Sequence, residues 1–431
     1  MPIGRGGAGA TARGLSFLGL MLVLVACGPE AGTSPPPAAA PAGDPAAFLE
    51  RHWQRPLAPQ GEAPTGFGPQ EVSLAPAACG TCHPRQFEDW QTSLHSRAMG
   101  PGLVGQLQEM DADAVDEHQA CLRCHAPLAE QAEALQRTLA AAPGAVAPRA
   151  DGASHAHGLT CAGCHLRGHR RLGPPRRDGG TPAAGDALPH GGWEASAAFE
   201  DSRFCAACHQ FEPDGFALEG KLLENTYEEW RASRHARDNR SCQSCHMPDR
   251  RHLWRGIHDP EMVKAGLAIE TSAPAVSGGR IKAELRIANH GVGHAFPTYV
   301  TPHVIVEIGQ ADESGAPIPD TVERHLIARD VSLDLSVERA DTRILPDELR
   351  RYGYDRPLAA RAARLAVRIR VEPDAFYAEF YRATLRDPGI GKGRQALLRA
   401  LHDAERSGYV LYESRQDLMP AKARPTMAVA R

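Results

Sequence analysis

Five copies of one short signature constrain this 431-residue chain more than any other feature. They are Cys79-Gly-Thr-Cys82-His83, Cys121-Leu-Arg-Cys124-His125, Cys161-Ala-Gly-Cys164-His165, Cys205-Ala-Ala-Cys208-His209 and Cys242-Gln-Ser-Cys245-His246, each a CxxCH. Two cysteines three positions apart lie on one helical turn. Both sulfurs can then form thioethers to the two vinyl groups of one porphyrin, while the adjacent histidine meets the iron. Redox or zinc CxxC pairs are the competing reading. Zinc sites, however, tolerate many residues after the second cysteine, and thioredoxin-like sites come singly. All five pairs here carry the histidine, so the spacing predicts five covalently bound haem c groups (iron). Cys79, Cys82, Cys121, Cys124, Cys161, Cys164, Cys205, Cys208, Cys242 and Cys245 would attach them, with His83, His125, His165, His209 and His246 as proximal ligands. The chain has eleven cysteines, and the one left over is Cys27. None remains to form a disulfide.

The haem region supplies its own apolar filler. From the first motif to the last the chain has roughly forty residues or fewer per motif, too few for a separate side-chain core around each. Porphyrin faces must form most of that core. The formal charge is −4, and each haem adds roughly −1 when ferric or −2 when ferrous through its ionised propionates. An acidic holoprotein of this kind argues against a nucleic-acid partner.

Residues 1–27 read as a lipoprotein signal peptide: Arg5 and Arg13 start it, an apolar run from Leu15 to Ala26 follows, and Leu24-Val25-Ala26-Cys27 ends it. The run is too short for a spanning helix. Its last four residues resemble a lipobox, which would leave an acylated Cys27 as a membrane anchor. Gly28 after the cysteine favours the outer membrane. Haem attachment agrees with a location in the periplasm or at the cell surface. Residues 28–76, rich in Pro, Ala and Gly, are expected to be a flexible tether.

Within 77–262, the expected haem domain, a second repeat stands out. Phe87-Glu88-Asp89-Trp90-Gln91-Thr92-Ser93-Leu94-His95 matches Tyr227-Glu228-Glu229-Trp230-Arg231-Ala232-Ser233-Arg234-His235 at the aromatic, acidic, Trp, Ser and His positions. The shared task it suggests is to pack a tryptophan on a porphyrin and close the sixth position of an iron with the histidine; a helix with an exposed histidine is the plainer alternative. Two imidazoles on one iron favour electron transfer, whereas an open position admits a ligand. Of the twenty histidines, fifteen lie outside the motifs, among them His118, His155, His157, His169, His190, His252 and His258.

The strings around Cys121, Gly158, Ser202 and Thr226, together with Cys242-Gln-Ser-Cys-His-Met-Pro and Gly256-Ile-His-Asp259, resemble bacterial multihaem c-type cytochromes with a cytochrome c-554-type haem domain, here as a pentahaem lipoprotein. The resemblance implies a mostly helical module with stacked and edge-on porphyrin pairs that transfers electrons. It places His95, His190, His235 and His258 ahead as distal ligands, leaving His118, His155, His157, His169 and His252 as alternates. Ammonia-forming relatives carry a CxxCK motif that this chain lacks, which leans away from that activity.

From 263 to 431 the motifs stop and alternating apolar patterns begin, as in Ile281, Ala283, Leu285 and Ile287 or Val304, Val306 and Ile308. Leu365–Val371 and Ala378–Leu385 read as further strands, followed by a helix near 392–407 and a last strand near 409–413. The expected fold class is α+β multidomain: a mostly helical multihaem cytochrome domain followed by an all-β, Ig-like sandwich with a C-terminal helix. Asn289-His290-Gly291-Val292-Gly293-His294-Ala295-Phe296-Pro297-Thr298 resembles a loop that accompanies such haem domains, with Tyr299 in place of its glycine. It is expected to face the haems and to offer His294 as a distal ligand. Asp341-Thr342-Arg343-Ile344-Leu345-Pro346 resembles another recurring string, of no evident role.

The function expected is electron transfer through closely packed, mainly bis-His haems, exchanged with redox partner proteins of the cell envelope, rather than catalysis. The alternative is a multihaem oxidoreductase with one open haem acting on a small nitrogen compound such as nitrite or hydroxylamine.

Overall fold

Proline opens many of the helices in the motif-bearing half, where its fixed φ suits the first helical position and its missing N–H is not needed. Pro84–Thr92, Pro101–Glu109 and Pro260–Gly266 all begin this way. The computed structural model describes residues 44–141, 149–180 and 189–418. The signal peptide, Cys27 and the start of the expected tether lie outside the described residues. Two motifs form single helical turns, Cys161–His165 and Cys242–His246. A third ends a longer helix, Val115–His125.

The tether ends earlier than expected. Pro45–His52 is a helix capped by the Asp44 side chain, and Leu49, His52, Leu57, Gln60 and Leu74 are buried. Leu57 and Leu74 pack with Leu128, Ala162 and Leu166 around the third motif. The Pro/Ala/Gly composition hid these widely spaced apolar residues, which dock without forming a periodic stripe.

The second half is a sandwich of two antiparallel sheets. Its strands are β1 (Leu267–Thr271), β2 (Ala275–Ser277), β3 (Arg280–Asn289), β4 (His303–Ala311), β5 (Glu323–Ile327), β6 (Leu349–Pro357), β7 (Arg364–Glu372) and β8 (Tyr409–Asp417). One sheet runs β6-β3-β1 with β2 also on β3, and the other runs β5-β4-β7-β8. Ile281, Leu285, Ile287 and Tyr354 from the first meet Val306, Ile308, Val367 and Ile369 from the second. Alternation along each strand puts these residues on one face, so two half-buried sheets close on each other.

Ala378–Leu385 is not a strand. It belongs to the helix Ala375–Thr384, which buries Phe376, Ala378 and Tyr381. Phe376, Tyr377, Phe380 and Tyr381 recur at helical spacing, which a window opening at 378 cuts in half. The next helix, Arg394–Arg406, lies against Pro101–Glu109 of the first half, where Leu397 and the Gly393 carbonyl leave no room for a Cβ on Gly105. From Asp44 onward the two halves form one unit.

A second seam joins the short hairpin Ala217–Leu218/Lys221–Leu222 to a ribbon of the sandwich half, Arg329–Val331 with Glu338–Asp341. Arg329, 1% exposed, donates to the Leu222 and Lys221 carbonyls and pairs with Glu338. Lys221 reaches Glu338 and Asp341 from the other side.

Candidate haem cavity

All ten motif cysteines and all five motif histidines line a cavity of about 3050 Å³, about three times the upper end of a single-ligand pocket. The motifs touch through their sulfurs: Cys79 meets Cys161, Cys124 meets Cys208, and Cys205 meets Cys242. None of the described cysteines forms a disulfide, and among the described residues no group of three or more His, Cys, Asp or Glu is arranged around a bare metal ion. In the haem-loaded protein these thiols would be thioethers.

Three proximal histidines share a backbone latch. His125 Nδ1 lies 2.7 Å from the Ala98 carbonyl, His165 Nδ1 2.7 Å from Leu172 O, and His246 Nδ1 2.7 Å from Arg255 O. A carbonyl partner places the proton on Nδ1 and leaves Nε2 as the lone-pair nitrogen that binds metal.

A motif imidazole and a second imidazole stand at a characteristic separation three times. Ring centres are 6.3 Å apart for His209 and His95, 6.4 Å for His246 and His294, and 6.2 Å for His165 and His252. Metal–nitrogen bonds of about 2 Å on opposite sides of one iron put two imidazole centres about 6 Å apart. The ring planes differ by 46°, 14° and 39° respectively. Burial pushes His95 down to about 3 and His252 and His294 down to about 4. The neutral imidazole that results is the ligating form. His95 Nδ1 is buried with no hydrogen-bond partner. On three independent observations, the cavity size, the latched tautomer and the ring separations, these residues fit haem.

The duplicated string builds the same local structure twice. Each helix, Pro84–Thr92 and Thr226–Ala232, stops at a serine whose Oγ donates to the tryptophan carbonyl at 2.7 Å. Each indole N–H donates to a backbone carbonyl, Trp90 to Leu159 at 2.7 Å and Trp230 to Arg240 at 2.9 Å. Gly158, at φ +64°, closes the contact with the first copy, because a Cβ there would strike the His95 carbonyl.

In the loop from Asn289 to Thr298, buried Asn289 holds the chain by bonds to the His294 and Ile344 carbonyls, both 3.0 Å. A Cβ on Gly293 would sit 3.0 Å from Trp230 and 3.4 Å from His235, so a side chain there would push the loop or the second copy apart by a few tenths of an ångström. The string from Asp341 to Pro346 acquires a place here: Ile344 pairs with Phe296, and Arg343 bonds Glu229, Asp341 and the Thr298 carbonyl.

The other candidates are less uniform. His235 is buried with Nδ1 unpartnered and lines the cavity, but has no motif imidazole at ring-pair distance among the described residues. His190 also lines it, with φ +50° and Nδ1 2.9 Å from the Gly192 carbonyl. His258 also lines the cavity. Its Nε2 lies 2.9 Å from the Asp374 carboxylate, an acid 116 residues away, and the imidazole across from His165 is that of His252, six residues earlier. His118, held by Gln136, lies outside the cavity lining, as do His155 and His157. His169 is anchored to Gln60 and Gly61.

Three residues escaped the sequence reading. His52 is buried with neither ring nitrogen bonded, packed among Phe48, Trp53, Phe199 and Phe204. Arg55 lies between Cys124 and Cys208 at 3.6 and 3.3 Å. Trp254 stands between His95 and His252, with ring centres 4.6 and 5.0 Å away, at a φ of +41° that is unusual for a bulky residue. Proximity to the last motif was the only local signal for Trp254.

Residues 78–165, which span the first three motifs, match the family model described as Cytochrome c554 and c-prime. The comparison with curated proteins returns no match. Among solved structures, a penta-heme cytochrome c552 from Thermochromatium tepidum has a similar fold, with a TM-score of 0.53 and 18% identity over 80% of this chain and 99% of that one.

Proposed function

We propose, on the premise that this chain is a multihaem c-type cytochrome with a cytochrome c-554-type haem domain, that it holds five haems and passes electrons between them without binding a substrate. The observation that carries this reading is the set of three ring pairs, His209/His95, His246/His294 and His165/His252. Each joins a motif histidine to one from elsewhere in the chain. Haem supplies a one-electron iron couple, and a second imidazole closes that iron to small ligands. The protein's own contribution is to hold neutral imidazoles in place and keep water away. Motif contacts support a path from the first motif through the third to the fourth, bridged by Trp254 between His252 and His95, with the second and fifth beside the fourth. His190, His235, His258 and His290 are the other histidines that line the cavity outside the motifs, and second ligands for His83 and His125 would come from among them. Acylated Cys27 would hold the protein at the outer membrane, in the periplasm or at the cell surface, where envelope redox proteins are its partners.

Intact mass and an absorption spectrum of protein from a host that matures c-type cytochromes test this directly. Five haems above the acylated polypeptide, a Soret band and rapid exchange with a soluble redox dye are expected. A mass equal to the bare polypeptide would end the reading.

One observation favours the second reading, an oxidoreductase with an open haem for nitrite or hydroxylamine. His125 is latched like its counterparts yet has no ring-paired imidazole among the described residues, and Tyr299 and Tyr377 line the cavity. Cyanide binding by the oxidised protein as isolated would support it, and a fully low-spin spectrum unchanged by cyanide would remove it.

A further inference from the structure

Asp89 and Glu229 occupy the same position in the duplicated string, one residue before the tryptophan. Asp89 Oδ2 accepts the backbone N–H of His252 at 3.0 Å and Arg251 Nε at 2.6 Å, and Arg251 also reaches Oδ1. Glu229 Oε2 accepts the Ala295 N–H at 3.1 Å, next to His294, and the Thr298 hydroxyl at 3.0 Å, while Oε1 takes Arg343 at 2.9 Å. In both copies, then, the acid grips the backbone of a remote segment that carries an imidazole paired with a motif histidine. One segment is 163 residues away and the other 66.

We infer that Asp89 and Glu229 are equivalent positioning residues. Each fixes the orientation of one distal imidazole, His252 or His294, and thereby tunes the potential of the haem that imidazole serves. The inference rests on the bis-His reading above.

Three points carry it. The side chains of Asp89 and Glu229 are 4% and 11% exposed, so these are not the solvated ion pairs that contribute little. Each carboxylate combines a backbone N–H with a guanidinium, which fixes direction as well as distance. The two copies also differ as their spans require: Glu229 has one more methylene than Asp89 and reaches a loop of the sandwich half. Partners of this kind, one layer behind a metal ligand, set its ring orientation and basicity. Asp89, Arg251 and His252 all belong to the haem half, whereas Glu229 takes its partners from the sandwich. The second clamp thus makes the sandwich a structural part of one haem site.

The geometry gives a crossed test. The His165/His252 planes are turned by 39° and the His246/His294 planes by only 14°. The angle between axial imidazole planes controls the rhombic splitting of a low-spin ferric centre, so the two haems have distinct electron paramagnetic resonance signals. In the haem-loaded full chain, where His209/His95 at 46° contributes a second tilted-ring centre, Asp89→Ala is expected to alter one of the two tilted-ring signals and keep the near-parallel one, and Glu229→Ala to alter the near-parallel signal and keep both tilted ones, with five haems retained in both. Asp89→Asn and Glu229→Gln keep an acceptor for the backbone N–H and remove the charge. Each should stay fully low-spin while one haem alone moves to a higher midpoint potential. If the alanine proteins do not accumulate, the amide variants decide the matter. Potentials unchanged in both, or the same haems affected by both, would overturn the inference. A wild-type protein without low-spin bis-imidazole signals would instead overturn the reading beneath it.

Discussion

Between Leu267 and Leu418 the chain buries Ile281, Leu285, Val306, Ile308, Val367 and Ile369 against one another. Between Cys79 and His246 it turns five motifs toward a shared cavity, and its side-chain clusters there are small, as in Met99, Leu107, Leu122 and Leu135. The sandwich carries its own core. Under the proposed function the first half has haem for one, with short helices that would be marginal alone. Two architectures in one chain should therefore depend on haem to different degrees, and that difference is measurable.

The largest effect expected comes from producing the full chain without haem attachment. Amides of the first half should exchange within seconds, whereas β3, β4 and β7 remain protected in hydrogen-exchange mass spectrometry. Equal loss across both halves would show that the sandwich also needs the cofactor. Next comes the seam. Arg329→Ala leaves Glu338 to Lys221 alone and strips the Leu222 and Lys221 carbonyls of their buried donor, which costs about 1–3 kcal/mol, read as a fall in the thermal midpoint and faster exchange at Lys221–Leu222. Within the sandwich alone, Leu285→Ala should cost about 2–5 kcal/mol and leave the haem spectrum unchanged. A spectral change would mean that the core reaches the cavity.

The smallest effect is that of acid on the same seam. Burial pushes Asp341 and Glu338 up, but Arg343 and Lys221 at the first and Lys221 and Arg329 at the second outweigh it, so both carboxyls titrate below their ordinary values. Lowered carboxyl pKa values contribute stability that is full above the unfolded value and is lost as pH falls through the folded one. Limited proteolysis at the Ala217–Leu222 hairpin should therefore begin to accelerate below about pH 4 and stay flat from there to neutrality.

What could be read from sequence followed the range of the chemistry. Thioether attachment is written within five consecutive residues, and all five motifs line the cavity. The alternation at Ile281–Ile287 and Val304–Ile308 is likewise local and forms β3 and β4. The pairing of imidazoles is not local. His252 and His258 are six residues apart in one string, and only the fold shows that the first stands across from His165 while the second meets Asp374. The duplicated string singled out His95, which stands across from His209, but not what its acids hold, because Arg251 and Arg343 lie 162 and 114 residues away. His52 and Arg55 were hidden by the composition around them, and Ala378–Leu385 misled because its first aromatic turn lay outside the window.

The central claim is that histidines from distant parts of the chain close irons held by the motifs. Quantitative electron paramagnetic resonance of the oxidised, haem-loaded protein tests it most directly. At least three low-spin bis-imidazole centres per chain are predicted, one of them of the near-parallel type set by the 14° between His246 and His294. Fewer than three, with the balance high-spin, would contradict the account.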